Sequence, residues 1–538
     1  MFTSVYFRAM FWHPIMTKKY PRVLAISMLA ALLTGCMVGP DFSTPDARLQ
    51  NSYDLPVPTE FTEGTQVDID HAIDPVAWWG SFKDPVLLEL LAKSAQQNLS
   101  LQAAAVQVYQ ARAQLGITDA SLLPKVDATG SATQANQASL AAQLLNTSNL
   151  STATALALQA SWELDFWGKL RRGVESSVAG YMSSASAFYS AQTSLASNVA
   201  SIYISIQNYN QLIDVSKRNL ALQQESLRIA KVRYQYGETS LLDLSQAQSQ
   251  YEQTKSQIPI LIASLKQNET ALSVLLGEAP DFYAKQYGQR HGTLSAPPVL
   301  QVAIPKELLR RRPDVRQAEF AAAAQSALIG VNTAALYPSF SLSGVFGFQT
   351  VNYGGVTGSP LFSWDNKVVS GGAAFSFPIF YRGAIVDQIR VQDAVFQQSV
   401  LNYQNLVLQA QKEVDDALMS ISTTRSSADA LVKAVKAAQN AAQLAQERYK
   451  AGQADYNTVI LAQQQLLSVE SSLVQTSNNN LLGYVTAFKA LGGGWSGELN
   501  LPQLTTALSS EMKQRTDWGN ALDGTKDPRL MKSSEMIQ

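Results

Sequence analysis

Along two stretches of this chain the seam residues fall at alternating steps of three and four. One stretch carries Val199, Ile202, Ile206, Tyr209, Ile213, Ser216, Leu220, Gln223, Leu227, Ala230 and Tyr234. The other carries Val400, Tyr403, Val407, Ala410, Val414, Ala417, Ile421, Thr424, Ala428, Leu431, Val435, Ala438, Ala442, Ala445 and Tyr449. Steps averaging about 3.5 residues keep one seam turned toward a partner helix, so each stretch predicts a long coiled-coil helix. The abundance of Ala, Ser, Thr and Gln in the seams suits close helix approach with little apolar bulk. A helix from about Gly168 to Tyr236 spans on the order of 100 Å at about 1.5 Å per residue. Taken alone, such a seam is explained by an ordinary soluble coiled coil.

The two seams are one pattern moved by about 215 residues. Arg233-Tyr234-Gln235-Tyr236-Gly237 returns as Arg448-Tyr449-Lys450-Ala451-Gly452, Ala247-Gln248 as Ala462-Gln463, and Leu276-Gly277 as Leu491-Gly492. A constant offset over about sixty positions predicts two tandem copies of one large unit.

Before each long helix the period changes to two. Phe340, Leu342, Phe346 and Phe348 alternate with Ser339, Ser341, Ser343 and Gly347, and Phe375, Phe377 and Ile379 with Ala374, Ser376 and Pro378. In the first copy Leu156, Leu158, Ala160, Trp162 and Leu164 alternate with Ala157, Gln159, Ser161, Glu163 and Asp165. Segments of about ten residues, apolar on one side and small or polar on the other, suit transmembrane barrel strands, with Trp162, Trp167, Tyr337 and Phe380 as interfacial aromatics. An ordinary antiparallel sheet explains any one of these signals; two strand pairs, each ahead of a very long helix, are less ordinary. Four strands cannot close a barrel, and an open edge is not tolerated in lipid. The strands must be pooled with those of other copies, most simply as three protomers giving a twelve-stranded barrel.

Lys18, Lys19 and Arg22 precede an apolar run from Val23 to Leu33 that is short for a membrane span and has the shape of a secretory signal. Met16 makes a more conventional start than Met1, with Met10 a further candidate. The run ends Leu33-Thr34-Gly35-Cys36, a lipobox-like sequence, and Cys36 is the only cysteine of the chain. The expectation is a bacterial lipoprotein acylated at Cys36, with no disulfide. Met37 stands where an Asp tends to retain such a protein at the inner membrane, which points to the outer membrane.

Composition narrows the chemistry. The 538 residues are 46% hydrophobic and 15% charged, with a formal net charge of -1. There is no apolar helical span beyond the signal and no basic stripe for nucleic acid. His71 and His291 are the only histidines after the signal, neither in metal-ligand spacing, and there is no nucleophile elbow or phosphate loop. The reading is of a protein without a metal, a cofactor or an active site. Gly492-Gly493-Gly494 is expected to end a helix.

Four motifs resemble a known family. Cys36-Met37-Val38-Gly39-Pro40-Asp41-Phe42 with Pro45 is similar to the lipidated start of OprM-like outer-membrane efflux lipoproteins of the TolC superfamily. Trp78-Trp79-Gly80-Ser81-Phe82-Lys83-Asp84-Pro85 with Leu87 and Leu90 resembles their next signature. Ser161 to Gly168, reading Ser-Trp-Glu-Leu-Asp-Phe-Trp-Gly, resembles the end of a barrel strand. Leu308-Leu309-Arg310-Arg311-Arg312-Pro313-Asp314-Val315 with Ala318-Glu319 resembles the opening of the second half. Each has a plain structural role as well: Pro313 and Asp314 suit a helix start, and the tryptophans suit packing.

The resemblance implies an α+β membrane protein: a trimeric channel-tunnel with a twelve-stranded outer-membrane barrel, four strands per protomer, a coiled-coil α-helical barrel and an equatorial collar. It implies a periplasmic adaptor and an inner-membrane pump of the resistance-nodulation-division type as partners, beside outer-membrane lipid. The chain then divides into a signal (1–35), a lipidated and equatorial segment (36–90), a first repeat (91–277), a linker (278–304), a second repeat (305–492) and a C-terminal equatorial tail (493–538).

Tyr236-Gly237-Glu238-Thr239-Ser240 and Ala451-Gly452-Gln453-Ala454-Asp455 interrupt the long helices and predict tight turns, with Gly237 and Gly452 in the left-handed conformation and Ser240 and Asp455 as caps. The resemblance makes these turns the periplasmic tips, with acidic rings and ion pairs just beyond them forming the aperture. Asp243 keeps the acidic position. Thr458 and Leu461 stand where acidic residues often occur in the family, and Gln464 where an arginine does. The expectation is an acidic ring from Asp243 that favours cations and a more apolar constriction at Leu461. A solvated surface carboxylate is the plain alternative for Asp243, and capping for Asp455. Two other functions stay open: a type I protein-secretion outlet, which the lipobox and the Arg-Arg-Pro-Asp signature disfavour, and an envelope-tethering lipoprotein, which has no need of strand pairs or repeated tips.

Overall fold

The computed structural model describes residues 37–46, 66–68, 75–136, 150–288, 294, 299–301, 312–353, 359–493, 495, 498–522, 524 and 527–531. The signal segment, Cys36, His71, His291 and Gly494 lie outside the described residues, as does Leu308 to Arg311 of the second-half motif.

The elements in order are β1 (Gln66–Asp68), α1 (Pro75–Gly80), α2 (Pro85–Gln97), α3 (Leu99–Ala120), β2 (Lys125–Asn136), β3 (Leu150–Leu164), α4 (Lys169–Gln235), α5 (Leu241–Leu275), α6 (Phe282–Tyr287), β4 (Val299–Gln301), α7 (Pro313–Ala334), β5 (Ser339–Tyr353), β6 (Lys367–Ser376), α8 (Arg382–Lys450), α9 (Tyr456–Ala490), α10 (Thr506–Arg515) and α11 (Pro528–Met531). From α3 to α5 the order is helix, strand, strand, long helix, shorter helix, and α7 to α9 repeat it. The matched helices contain 22 and 22, 67 and 69, and 35 and 35 residues. No described helix is apolar enough over sufficient length to cross a membrane.

The chain forms two compact units. The first takes the described residues of Met1–Asp41, Gly116–Ser176 and Ser326–Ala394; the second takes those of Phe42–Leu115, Ser177–Gln325 and Val395–Gln538.

In the first unit β2, β3, β5 and β6 make one antiparallel sheet in that order. Its register brings Leu158 beside Phe346 and Ala128, and Phe340 beside Phe375. Because side chains alternate along a strand, one face carries Val126, Leu156, Leu158, Trp162, Phe340, Leu342, Phe346, Phe348, Val369 and Phe375. The other carries Thr129, Ser131, Thr133, Gln159, Ser161, Ser341, Ser343, Gln349 and Ser370. Among the described residues β2 and β6 each have a single partner, so both edges of the sheet are open. β6 ends at Ser376, short of Phe377 and Ile379, which the alternation had placed in the strand. Pro378, without an N–H, cannot extend the ladder. At the base of the sheet Trp167 stacks on Tyr337 at 4.7 Å, and its indole donates to Pro338 O at 2.8 Å.

The second unit holds the main core. Trp78, Trp79, Phe82, Leu87 and Leu90 pack with Tyr203, Tyr283, Tyr484, Phe488 and Leu491, the Trp79 and Phe488 rings being 4.4 Å apart. Asp84 accepts at the start of α2 from Val86 N at 2.9 Å and on its other oxygen from the Tyr203 hydroxyl at 2.9 Å. Arg312, directly before α7, pairs with Asp314 at 2.7 Å and Glu413 at 2.8 Å and donates to Ala490 O. This explains the Arg-Pro-Asp sequence: proline opens the helix and its flanking charges join α7 to α8 and the end of α9.

The coiled-coil seams are buried at Val400, Tyr403, Val407, Ala410, Val414, Ala417 and Ile421 and again at Ala438, Ala442, Ala445 and Tyr449. Between them Thr424, Ala428, Leu431 and Val435 are half-buried. The first seam departs from its counterpart at the end: Tyr234 is 41% exposed, whereas Tyr449 is 1% exposed. Leu241, which stands where the second copy has Tyr456, is itself exposed, so no ring covers Tyr234.

Candidate functional site: the two helix tips

Both tips, within the second unit, are built alike. Gly237 and Gly452 have φ of 74° and 73°, a conformation that costs other residues about 1–2 kcal/mol. Glu238 N donates to Arg233 O and Gln453 N to Arg448 O, each at 2.8 Å, and so both long helices close in the same Schellman-type turn. The next helices start on side-chain caps. Asp243 N donates to Ser240 Oγ at 3.2 Å, and Thr458 N to Asp455 Oδ1 at 3.0 Å.

The aperture candidates divide between these roles. Asp455 also accepts from the Thr458 hydroxyl at 2.7 Å, and the two hydrogen bonds hold its carboxyl below the usual range. Asp243, half-buried, accepts from the Thr239 hydroxyl. Leu461 is 58% exposed. Gln464 donates to Gln250 Oε1 at 2.8 Å, tying α9 to α5. The structure thus brings Asp455 to Thr458 and Gln464 to Gln250, and keeps Asp243 on the other tip, beside Thr239.

What joins the tips was not among the sequence candidates. Arg233 of the first tip donates to Tyr449 O of the second, and its guanidinium carbon lies 4.7 Å from the centre of the Tyr449 ring. It also pairs with Glu238 at 3.5 Å. Beneath it Tyr449 and Tyr456 meet at 5.1 Å in a cluster with Ile229, Ala230, Ala247, Ala445 and Val459. Burial raises the Tyr449 phenol pKa, an effect that Arg233 opposes, so the ring stays neutral at physiological pH. The available signal was the break in the repeat: Glu238 and Thr239 are replaced by Gln453 and Ala454, so the first copy holds a carboxylate and a hydroxyl that the second lacks. Deeper in the bundle Glu470, 8% exposed, accepts from Asn219 at 2.7 Å and Gln439 at 3.1 Å.

Comparison with known proteins agrees with this architecture. Residues 90–278 and 304–493 match the family model "Outer membrane efflux protein". The chain is 30% identical over 484 residues to the toluene efflux pump outer membrane protein TtgC of Pseudomonas putida, covering 88% of this chain and 96% of the relative. It is 28% identical to nodulation protein T of Rhizobium leguminosarum, covering 86% and 96%. The solved outer-membrane channel OprN superposes with a TM-score of 0.76 at 29% identity, covering 86% of this chain and all of that one. The chain therefore belongs to the outer membrane efflux protein family, the channels of the TolC superfamily.

Proposed function

We propose that this chain, as a homotrimer, is the passive exit duct of a tripartite efflux system, anchored in the bacterial outer membrane through an acylated Cys36. The observation that carries the reading is the four-stranded sheet with two open edges, one aromatic face and one face of mostly small and polar residues. Four strands cannot close in lipid, whereas three sheets supply twelve strands and leave no edge. From Phe340 to Phe348 the aromatic face runs about 26 Å along the strand at roughly 3.3 Å per residue, about 20 Å of height at the usual strand tilt and so most of a barrel's apolar band of about 25 Å. The opposite face then lines the lumen mostly with Ser, Thr, Gln, Ala and Gly, with Lys125, Asp127 and Glu163 as charged groups toward one end of the sheet.

Energy and substrate choice belong to other subunits in this reading: a periplasmic adaptor and an inner-membrane pump of the resistance-nodulation-division type. The relative named for toluene efflux supports a small-molecule cargo. The two repeats run over about 91–277 and 305–492, with the collar in 36–90, 278–304 and 493–538. The tips form the closed end: three copies of Asp243 make an acidic ring, Leu461 an apolar constriction, and Arg233 with Tyr449 the link that holds each protomer's tips together. An envelope tether would have no use for the aromatic sheet face. Electrophoresis with and without boiling tests the duct: a heat-modifiable trimer is expected, and a species that runs as a monomer without heating contradicts it.

A further inference from the structure

The polar face of the sheet is uncharged along most of its length and charged at one end. Among its described strand residues only Lys125, Asp127 and Glu163 carry charge, at the start of β2 and the end of β3. There each carboxylate has a cation. Lys125 Nζ lies 3.0 Å from Asp127, and Lys169 Nζ lies 3.1 Å from Glu163. Lys125 stands opposite Ser161, two positions before Glu163, so the two pairs are diagonal neighbours with backbones about 7–8 Å apart. The next charges along the chain are matched in the same way. Asp165 pairs with Arg171 at 3.1 Å and accepts from Leu170 N and Arg171 N at the start of α4.

Exposed ion pairs of this kind add little to stability. All four side chains of the two pairs face solvent, Glu163 least at 38%, so their charges act on the water beside the sheet. In a twelve-stranded barrel, with strands about 4.8 Å apart and tilted about 40°, the backbone radius is about 12 Å. Screening at 0.1 M salt acts over about 10 Å, and side chains that reach inward bring the whole lumen within that range. A solute cannot pass this end of the sheet without meeting the net charge of the ring.

We propose that Lys125, Asp127, Glu163 and Lys169 form a charge-balanced collar that makes this end of the duct indifferent to the charge of its cargo. The proposal rests on the trimeric duct reading above. Lys125 and Lys169 are the specificity-determining residues: each cancels one luminal carboxylate. Without them three protomers would leave two carboxylates each around one ring. Such a ring would enrich a monovalent cation on the axis about threefold and deplete an anion by the same factor. Cationic solutes would be retained and anionic ones hindered. With the lysines in place, solutes of either sign pass alike.

The test measures the field at the collar itself. Ser161→Cys places a thiol on the polar face opposite Lys125, and Leu158→Cys places one on the apolar face. The full-length protein in outer membranes is treated with a cationic and an anionic methanethiosulfonate of similar size. Rates are taken from the heat-modifiable trimer, as the mass of the peptide that carries the new cysteine. The duct reading requires Ser161→Cys to react and Leu158→Cys to stay protected; equal reactivity, or an unreactive Ser161→Cys, refutes that reading. The collar sets the ratio of cationic to anionic rates at Ser161→Cys. Adding Lys125→Gln with Lys169→Gln should raise the ratio about ninefold, and adding Asp127→Asn with Glu163→Gln should lower it about as far. All four substitutions together should restore it. A reactive Ser161→Cys whose ratio is the same in every background overturns the proposal. So does a fourfold variant that stays displaced, which would assign the effect to shape, or loss of the trimer in the charge variants, which would make the pairs structural.

Discussion

The guanidinium of Arg233 sits over the ring of Tyr449 and donates to its backbone carbonyl, joining one copy of the repeat to the other at the tips. A desolvated cation–π contact contributes about 2 kcal/mol, and a hydrogen bond from a charged donor about 1.5–3 kcal/mol. Arg233→Ala should therefore release the tips while leaving the rest of the bundle folded. The expected result is a larger closed-state current in single-channel recordings, with unchanged trimer content.

Asp243 is expected to set ion preference. In Asp243→Ala the reversal potential under a salt gradient should move toward zero and the closed-state current should rise. An unchanged current and cation preference would remove the residue from the aperture and leave it a surface carboxylate bonded to Thr239.

The turn glycines offer a milder test of the same closed end. A Cβ on Gly237 meets nothing within 4 Å, so Gly237→Ala introduces backbone strain of about 1–2 kcal/mol without a clash. The melting temperature should barely move, while brief openings should become more frequent.

Asp314 gives the account a pH dependence. Burial alone would raise its pKa, but the hydrogen bond and charge of Arg312 outweigh burial and hold it below the ordinary value. A carboxyl depressed in the folded state contributes stability in full above its unfolded pKa of about 3.9 and loses it as pH falls through the lower folded value. The stability difference between wild type and Asp314→Asn should thus be steady from neutral pH to about pH 4 and shrink below it. Unfolding followed by circular dichroism across that range checks the sign.

The buried Glu470 provides a further comparison. Asn219→Leu removes a donor from a buried carboxylate and should cost about 2–3 kcal/mol, whereas Glu470→Gln keeps an acceptor and should cost about 1 kcal/mol. Denaturant unfolding of the two variants measures the order.

Periodic features were legible in the sequence. The seams, the offset between copies and the apolar alternation of β3 and β5 are each repeated many times, and burial selects them at every repeat. Less regular features escaped: β6 stops before Phe377 because Pro378 ends the ladder, and Tyr234 is exposed although its counterpart Tyr449 is buried. Seam membership there depends on a single neighbour, Tyr456 against Leu241. The Arg233–Tyr449 link pairs positions that are not equivalent in the repeat, and its one trace is the replacement of Glu238 and Thr239 in the second copy; the contacts of Arg172 with Val38 and Gly39 join residues about 130 apart in sequence. In these cases a single tertiary contact decides the outcome, and the hydrophobic periodicity along the chain does not record it.

The account stands on a sheet that closes only in company, so the most direct measurement is the mass of the detergent-solubilised, full-length particle by native mass spectrometry. Three chains, stable until heated, are predicted. A stable particle of one chain, or of any number whose strands cannot close a barrel, would contradict it.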